Sequence, residues 1–336
     1  MFTLFFFVII IIGDIVKNIF VIIFSAVLLL LTFLFIEPIT DTLASFVSDV
    51  PKVVAKDGNE YSKDIDYLFV QRSDDYEPYS YQDLLNIYYS VINNGWDEFT
   101  FYCPNEYIRC ISDISTISGD ELILTHLNNY VHPFNSFTNV KTLINDNGEI
   151  TLNITYLYDA DEIKLIDKKV DEIIKEIITD DMDDYDKLLT IHDYIINNTK
   201  YDIQRNDSNE SPYKSNTAYG PLFQGYATCN GYTDLMAIFL TKLGFNNYKI
   251  ATTPQEITES SAGHIWNALY YNNNWVHMDL TWDDPTPDPN KPEYADKDYL
   301  WHKYFLVSTE AMEEVDKGDV VVEEHNFNPL YYLEFN

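Results

Sequence analysis

The hydrophobic pattern divides the chain into an apolar opening, a polar stretch and a long alternation of short amphipathic segments. Phe2–Ile12 is apolar, Gly13–Asn18 interrupts it, and Ile19–Ile36 runs without a charge. The second run could build about 27 Å of helix, close to the hydrocarbon thickness of a bilayer. Residues 1–36 are therefore expected to be a membrane anchor with a short N-terminal prelude. Lys17 before the run, and Glu37, Asp41 and Asp49 after it, favour an N-inside orientation. A cleaved signal peptide is the rival reading; Thr42-Leu43-Ala44 offers it only a poor cleavage site. Residues 37–65 lack apolar periodicity and read as a tether, with order expected from about Tyr67.

Beyond the tether, Tyr81–Ile92 carries apolar residues at helical spacing and ends at Asn93-Asn94-Gly95. Glu98–Cys103 reads as a strand, and Asn105–Ile114 and Asp120–Leu127 as short helices. Val140–Ile144 and Glu149–Tyr156 flank Asn145-Asp146-Asn147-Gly148, a strong hairpin signal. These elements make a small α+β domain, residues 66–158. His132, in its Tyr130–Asn135 run, reads as a structural histidine. Residues 159–336 form the next domain. Helices are expected at Asp161–Ile178 and Asp184–Asn197, the second with His192 on its buried side. The polar loop Lys200–Thr217 is a candidate cleft wall.

The chemistry-bearing residues follow that loop. Leu235–Leu243 is apolar at helical spacing and Gly244 stands at its stop, so Cys229 falls at a helix start. Unpaired N–H groups and the positive dipole end there favour a thiolate. Tyr248–Thr252 reads as a strand. His264–Tyr271 and Trp275–Trp282 read as a hairpin rich in aromatic and β-branched residues around Asn272–Asn274. A two-residue turn at Asn272-Asn273 sets His264 opposite Thr281 and Trp266 opposite Asp279. His264 and Asp279 are then diagonal neighbours about 7–8 Å apart at the backbone. A three-residue turn without a bulge would place them on opposite faces. A thiol, an imidazole and a carboxylate are the parts of an activated nucleophile. Each has a bland alternative singly: a core cysteine, a strand-end histidine, a turn-capping aspartate. A last strand at Tyr304–Ser308, a helix at Thr309–Val315 and an apolar tail at Phe327–Phe335 close the chain.

Composition narrows the function. The net charge is −33, which repels phosphate backbones and excludes nucleic acid as a natural partner. Aromatic content of 15%, with 27 Tyr, argues for a packed chain despite the acidity. Of the three cysteines, Cys103 and Cys110 either pair or remain two free thiols, and Cys229 is free in both cases. A single helix would hold Cys103 and Cys110 about 10 Å apart, but Pro104 suggests a corner between them. The Asp283–Pro292 loop lacks calcium-loop spacing, so no metal and no cofactor are expected.

Gly225-Tyr226-Ala227-Thr228-Cys229-Asn230-Gly231-Tyr232, Gly263-His264-Ile265-Trp266-Asn267 and Trp275 through Pro285 together resemble the transglutaminase-like superfamily, a papain-related thiol fold, in its bacterial membrane-anchored form. The resemblance covers roughly residues 181–308. It implies an α+β core, in which a helix carrying the cysteine packs on an antiparallel sheet carrying the histidine and aspartate. It also implies Cys229 as nucleophile, His264 as base and Asp279 as orienting carboxylate. Gln224 is a candidate second oxyanion donor and Trp266 a candidate cleft wall; His277 is read as packing. Three functions stand open: a cysteine peptidase or amidase, a cross-linking protein-glutamine transglutaminase, and a silent membrane-tethered binding module. The expected substrate is a protein or peptide. The expected location is the cell membrane, with one span and the catalytic domain outside.

Overall fold

The computed structural model describes residues 55–145, 147–208, 211–252, 263–285, 299–319 and 324–336, and the single residues 23, 25 and 53. The chain forms two compact units, Met1–Lys52 and Val53–Asn336. The expected anchor, the first part of the tether and most of the Asp283–Pro292 loop lie outside the described residues. Among the described residues, no helix is long and apolar enough to cross a membrane.

The second unit is mixed α and β. It opens with α1 (Tyr81–Asn93), whose N-cap Ser80 accepts from the Asp83 N–H. Then come β1 (Glu98–Tyr102), α2 (Cys110–Gly119), α3 (Glu121–Tyr130), β2 (Phe137–Ile144) and β3 (Glu149–Tyr156). The three strands form an antiparallel sheet in the order β1-β3-β2. Cys103 and Cys110 are joined by a disulfide, with Cα atoms 5.8 Å apart. The helix expected from Asn105 starts only at Cys110. Residues 104–109 make the corner that brings the two sulfurs together.

Order begins before Tyr67. The Asn59 side chain donates to Asn135 Oδ1 at 2.7 Å, Tyr61 stacks on His132, and Lys63 Nζ donates to the Asn247 carbonyl at 2.7 Å. These are polar and ring contacts to distant residues, which apolar periodicity does not register. His132 is structural: Nδ1 accepts from the Phe134 N–H, and burial pushes the ring well below the usual imidazole range.

The thiol core follows. It comprises α4 (Ala160–Ile177), α5 (Asp184–Asn197), β4 (Lys200–Tyr201), α6 (Ile203–Ser208), a π turn at Gly220–Gln224, β5 (Tyr226–Ala227) and α7 (Cys229–Lys242). Next come β6 (Asn247–Thr252), β7 (His264–Tyr271), β8 (Asn274–Met278), the single turn α8 (Leu280–Asp283) and α9 (Thr309–Asp319). Strands β6, β7 and β8 are antiparallel in that order. Both faces of this sheet are covered. Leu269 and Met278 pack with Leu235, Met236 and Phe239 of α7. Tyr248, Ile250, Trp266 and Ala268 pack with Tyr67, Tyr130 and Tyr332. The small N-terminal α+β part and the thiol core therefore share one apolar core. The tail docks as expected, with Tyr332 fully buried.

Two expectations fail at the end of the sheet. The strand expected over Trp275–Trp282 stops at Met278, because Asp279 turns out of the ladder to cap α8. The strand expected over Tyr304–Ser308 is reduced to a single bridge between His277 and Val307. Its backbone is used otherwise: the Tyr304 carbonyl accepts from the Asp279 N–H, and the Tyr304 N–H donates to Asp283.

Candidate active site

The site begins with the Gly225–Tyr232 stretch. Gly225 adopts φ 71°, a left-handed turn that leads from the π turn into β5. Gly231 permits close approach: a Cβ there would lie 2.2 Å from the Ser215 carbonyl oxygen. The loop around Ser215 therefore lies directly on the first turn of α7. Thr228 is the N-cap of α7, yet its hydroxyl does not cap. Oγ1 is engaged instead with the Ser215 carbonyl and the Asn216 side chain. Cys229 is the first helical residue and half-buried, so its backbone N–H has no intrahelical acceptor.

The β7–β8 turn has two residues. Asn272 and Asn273 adopt φ 49° and 65°, and Tyr271 pairs with Asn274. Asparagine tolerates this left-handed geometry better than other non-glycine residues, and such turns match the twist of the strands. The register brings Asp279 to the His264 face. His264 Nε2 lies 2.5 Å from Asp279 Oδ2, with both side chains buried. Asp279 Oδ1 meanwhile accepts from the Thr281 and Trp282 N–H groups. One carboxylate thus caps α8 and orients the histidine.

Two hydrogen bonds fasten α7 to β7. Asn267 Nδ2 donates to the Thr233 carbonyl at 3.0 Å, and Thr233 Oγ1 donates to the Ile265 carbonyl at 3.0 Å. A third tie joins Tyr232 Oη to Asp284 Oδ2, just past α8. The helix start is thereby held against the end of β7, where the Cys229 thiol lies near enough to the His264 ring to act on its charge. With Nε2 committed to Asp279, Nδ1 is the nitrogen left for the thiol.

The electrostatics follow from burial and neighbours. Burial alone would keep His264 neutral, but the Asp279 carboxylate and the Cys229 thiol push it well above the usual imidazole range. Burial would raise Asp279, but the His264 and His325 rings hold it far below the usual carboxylate range. The arrangement is that of an imidazolium set between a cysteine and an ionised carboxylate.

The other candidates divide. Gln224 Oε1 accepts from the Lys214 N–H at 2.8 Å, leaving Nε2 able to donate. Trp266 is not a cleft wall: it is fully buried and stacks on His264. Its position on a sheet covered on both faces is the reason. Trp266 Nε1 donates to His277 Nδ1, and His277 Nε2 bonds Thr309 Oγ1. Burial and nearby His325 push His277 down to about 3, so it is a neutral packing residue. His192 is buried between Asp193 and Asp283. Asp283 also accepts from the Lys303 and Tyr304 N–H groups.

His325 did not emerge from the sequence. Its Nε2 lies 2.9 Å from Asp279 Oδ2, the same oxygen that His264 uses. A lone histidine in an acidic tail offers no spacing signal. Asn267 was quoted within a motif without a role; strand alternation, which turns it away from the His264 face, was the available clue.

Residues 171–280 match the family model described as the transglutaminase-like superfamily. That stretch holds Cys229, His264 and Asp279, and over it the chain is similar to that superfamily. Members of the superfamily are usually cysteine-based enzymes, although it includes inactive ones. The match supports a thiol-dependent enzyme at the level of family. No curated protein matches the chain. Among solved structures, a TGase is similar at 13% identity and a TM-score of 0.32, over 56% of this chain and 61% of that one. A Cytophaga hutchinsonii protein described as a candidate cysteine protease is similar at 15% identity and a TM-score of 0.27, over 43% and 61%. The chain thus spans about three fifths of each structure.

Proposed function

We propose that this chain is a cysteine peptidase or amidase that acts on protein or peptide amides at the cell surface. The observation that carries the reading is the placement of His264 between the Cys229 thiol and the Asp279 carboxylate. The thiolate attacks the amide carbonyl, forming a C–S bond while the carbonyl electron pair moves onto oxygen. The uncapped Cys229 N–H and Gln224 Nε2 are the donors for that oxyanion. Collapse breaks the C–N bond, and His264 Nδ1–H protonates the departing amine. Neutral His264 then takes a proton from water, and the hydroxide displaces sulfur from the thioester. Acid leaves, and the ion pair is restored. The Cys103–Cys110 disulfide and the apolar Ile19–Ile36 run support an oxidising, membrane-proximal location.

The test is incubation of the full chain with a peptide library, with and without a primary amine. Cleavage with free acid as product is expected, and Cys229→Ala should abolish it. Incorporation of the amine at glutamine would replace this reading with cross-linking. A Cys229 that alkylates no faster than a free thiol would leave only a binding role. Protease added to intact cells should degrade the domain; its survival there would refute the outside placement.

A further inference from the structure

Asp279 serves two histidines. Beyond the expected Cys229–His264–Asp279 set, His325 Nε2 reaches Asp279 Oδ2, and His325 Nδ1 lies 2.9 Å from Asp316 Oδ1 on α9. Tyr304 Oη donates to the same Asp316 oxygen at 3.0 Å. His325, Asp279, Asp316 and Tyr304 are all buried. A continuous line of hydrogen bonds therefore runs His264–Asp279–His325–Asp316–Tyr304, with Cys229 beside its first member.

The hydrogen-bond inventory fixes the protons along it. An ionised carboxylate only accepts, so Nε2 of His264 and Nε2 of His325 both donate to Asp279. Nδ1 of His325 faces a second carboxylate and donates as well. A ring that donates from both nitrogens is an imidazolium. Burial opposes that charge, but the bonds to Asp279 and Asp316 outweigh burial and hold His325 above the usual imidazole range. From His264 through Asp279 to His325, charge alternates in sign along the line. Among the described residues, the ionisable groups that meet His325 are Asp279 at the N-cap of α8, Asp316 from α9, His264 from β7, His277 from β8 and the phenol of Tyr304. His277 is neutral, so the two carboxylates and His264 set the balance.

We propose that His325 is a positioning residue for the thiol chemistry: as a buried imidazolium it shares the Asp279 carboxylate, and so tempers how strongly Asp279 holds the proton on His264. This rests on the thiol-enzyme reading above. An aspartate serving one histidine holds the ring proton tightly, which favours the ion pair but slows the delivery of that proton to a leaving amine. A second cation on the same oxygen weakens that hold. The two rings, with centroids 5.4 Å apart, also repel each other when both are charged. His264 then surrenders its proton to the departing amine more readily, and is more often neutral when the thioester needs a base. Asp316, tied to Tyr304, keeps His325 charged at neutral pH.

The test uses the full chain and iodoacetate, an anion whose reaction with the Cys229 thiolate is assisted by charged His264. The alkaline limb of its pH–rate profile therefore reports loss of the His264 proton. His325→Gln keeps one donor for Asp279 without the charge, and should move that limb up by roughly one pH unit. Asp316→Asn removes a carboxylate that keeps His325 charged, and should move the limb the same way by less. The pH at which turnover reaches half its maximum should rise in parallel. A merely structural His325 would lower Tm and leave both profiles in place. Unmoved profiles in folded His325→Gln and Asp316→Asn overturn the proposal. If His325→Gln does not fold, Asp316→Asn and nitrogen NMR of histidine-labelled wild type decide. NMR should find His325 doubly protonated at neutral pH, and a neutral ring would overturn the inference. One equivalent of zinc retained by the purified chain, held by His264, Asp279 and His325, would also overturn it. The wild-type alkylation rate alone tests the thiol-enzyme reading, so the two can fail separately.

Discussion

The Asn267 side chain donates a 3.0 Å hydrogen bond to the Thr233 carbonyl, and this contact joins the strand that bears His264 to the helix that bears Cys229. Both partners are buried. Neither touches the thiol, yet the distance between nucleophile and base depends on them.

Asn267→Ala should therefore affect rate more than fold. Leaving the Thr233 carbonyl unsatisfied costs about 1–3 kcal/mol. A displacement near 1 Å between reacting groups costs about 100-fold in rate. The expected outcome is a modest fall in the urea midpoint, with kcat/KM and Cys229 alkylation reduced about 10- to 100-fold. Unchanged alkylation in a destabilised variant would show that the contact does not position the thiol.

Stability should peak near pH 6.5, the usual imidazole value, because the buried histidines pull in opposite directions. His192, His264 and His325 are held above that value: burial opposes this, but their carboxylate partners prevail. Such groups stabilise fully below the unfolded pKa, and the benefit is lost as pH rises through the folded values. His132 and His277 are pushed down by burial, His277 to about 3. For these the unfolded chain binds more protons below about pH 6.5, so stability falls as pH drops. Asp279, held low by its two histidines, adds a loss at still more acid pH. Urea midpoints measured across the range should pass through a maximum, and a monotonic trend would contradict the assignment.

Reducing the Cys103–Cys110 disulfide should destabilise without silencing the thiol. It closes a loop with a sequence separation of 7. Chain entropy assigns about 2–3 kcal/mol to so short a loop. The double variant Cys103→Ser, Cys110→Ser should lose about that much in denaturant and keep Cys229 alkylation at the wild-type rate. Native wild-type protein should titrate one thiol with a disulfide reagent; three would show that the pair is reduced.

Lys249→Met should be the most destabilising of these changes. Lys249 Nζ lies 2.9 Å from Asp234 Oδ1 on α7 and also donates to Ser136, with both charges buried. Tyr158 donates to the other Asp234 oxygen. Removing the cation strands a carboxylate in the interior, at a cost of about 3–5 kcal/mol. Chemical denaturation would measure it, and a loss below about 1 kcal/mol would mean that water reaches Asp234.

The local features of the site were legible because their causes are local. Helix periodicity after Cys229 and the stop at Gly244 placed the thiol on a first turn, where α7 begins. Two asparagines suited to a left-handed turn implied the register that brings His264 to Asp279, and the hairpin adopts it. Alternation could not show that Asp279 leaves the strand: a residue that caps a single turn looks, in sequence, like the next step of the ladder.

By itself, then, the sequence determined most of the element types, the helix start at Cys229 and the hairpin register that sets His264 beside Asp279. Each rests on interactions within a few residues, where backbone geometry and side-chain period act directly. Only the tertiary structure decided that Cys103 and Cys110 pair, that Trp266 is buried under His264, that Asn267 pins α7, and that His325 shares the Asp279 carboxylate. Those are contacts between groups that meet only when several elements pack together. His325 lies 46 residues beyond Asp279. No period or spacing connects a histidine in an acidic tail to a carboxylate at the end of a strand; only the docking of the tail onto the sheet does so.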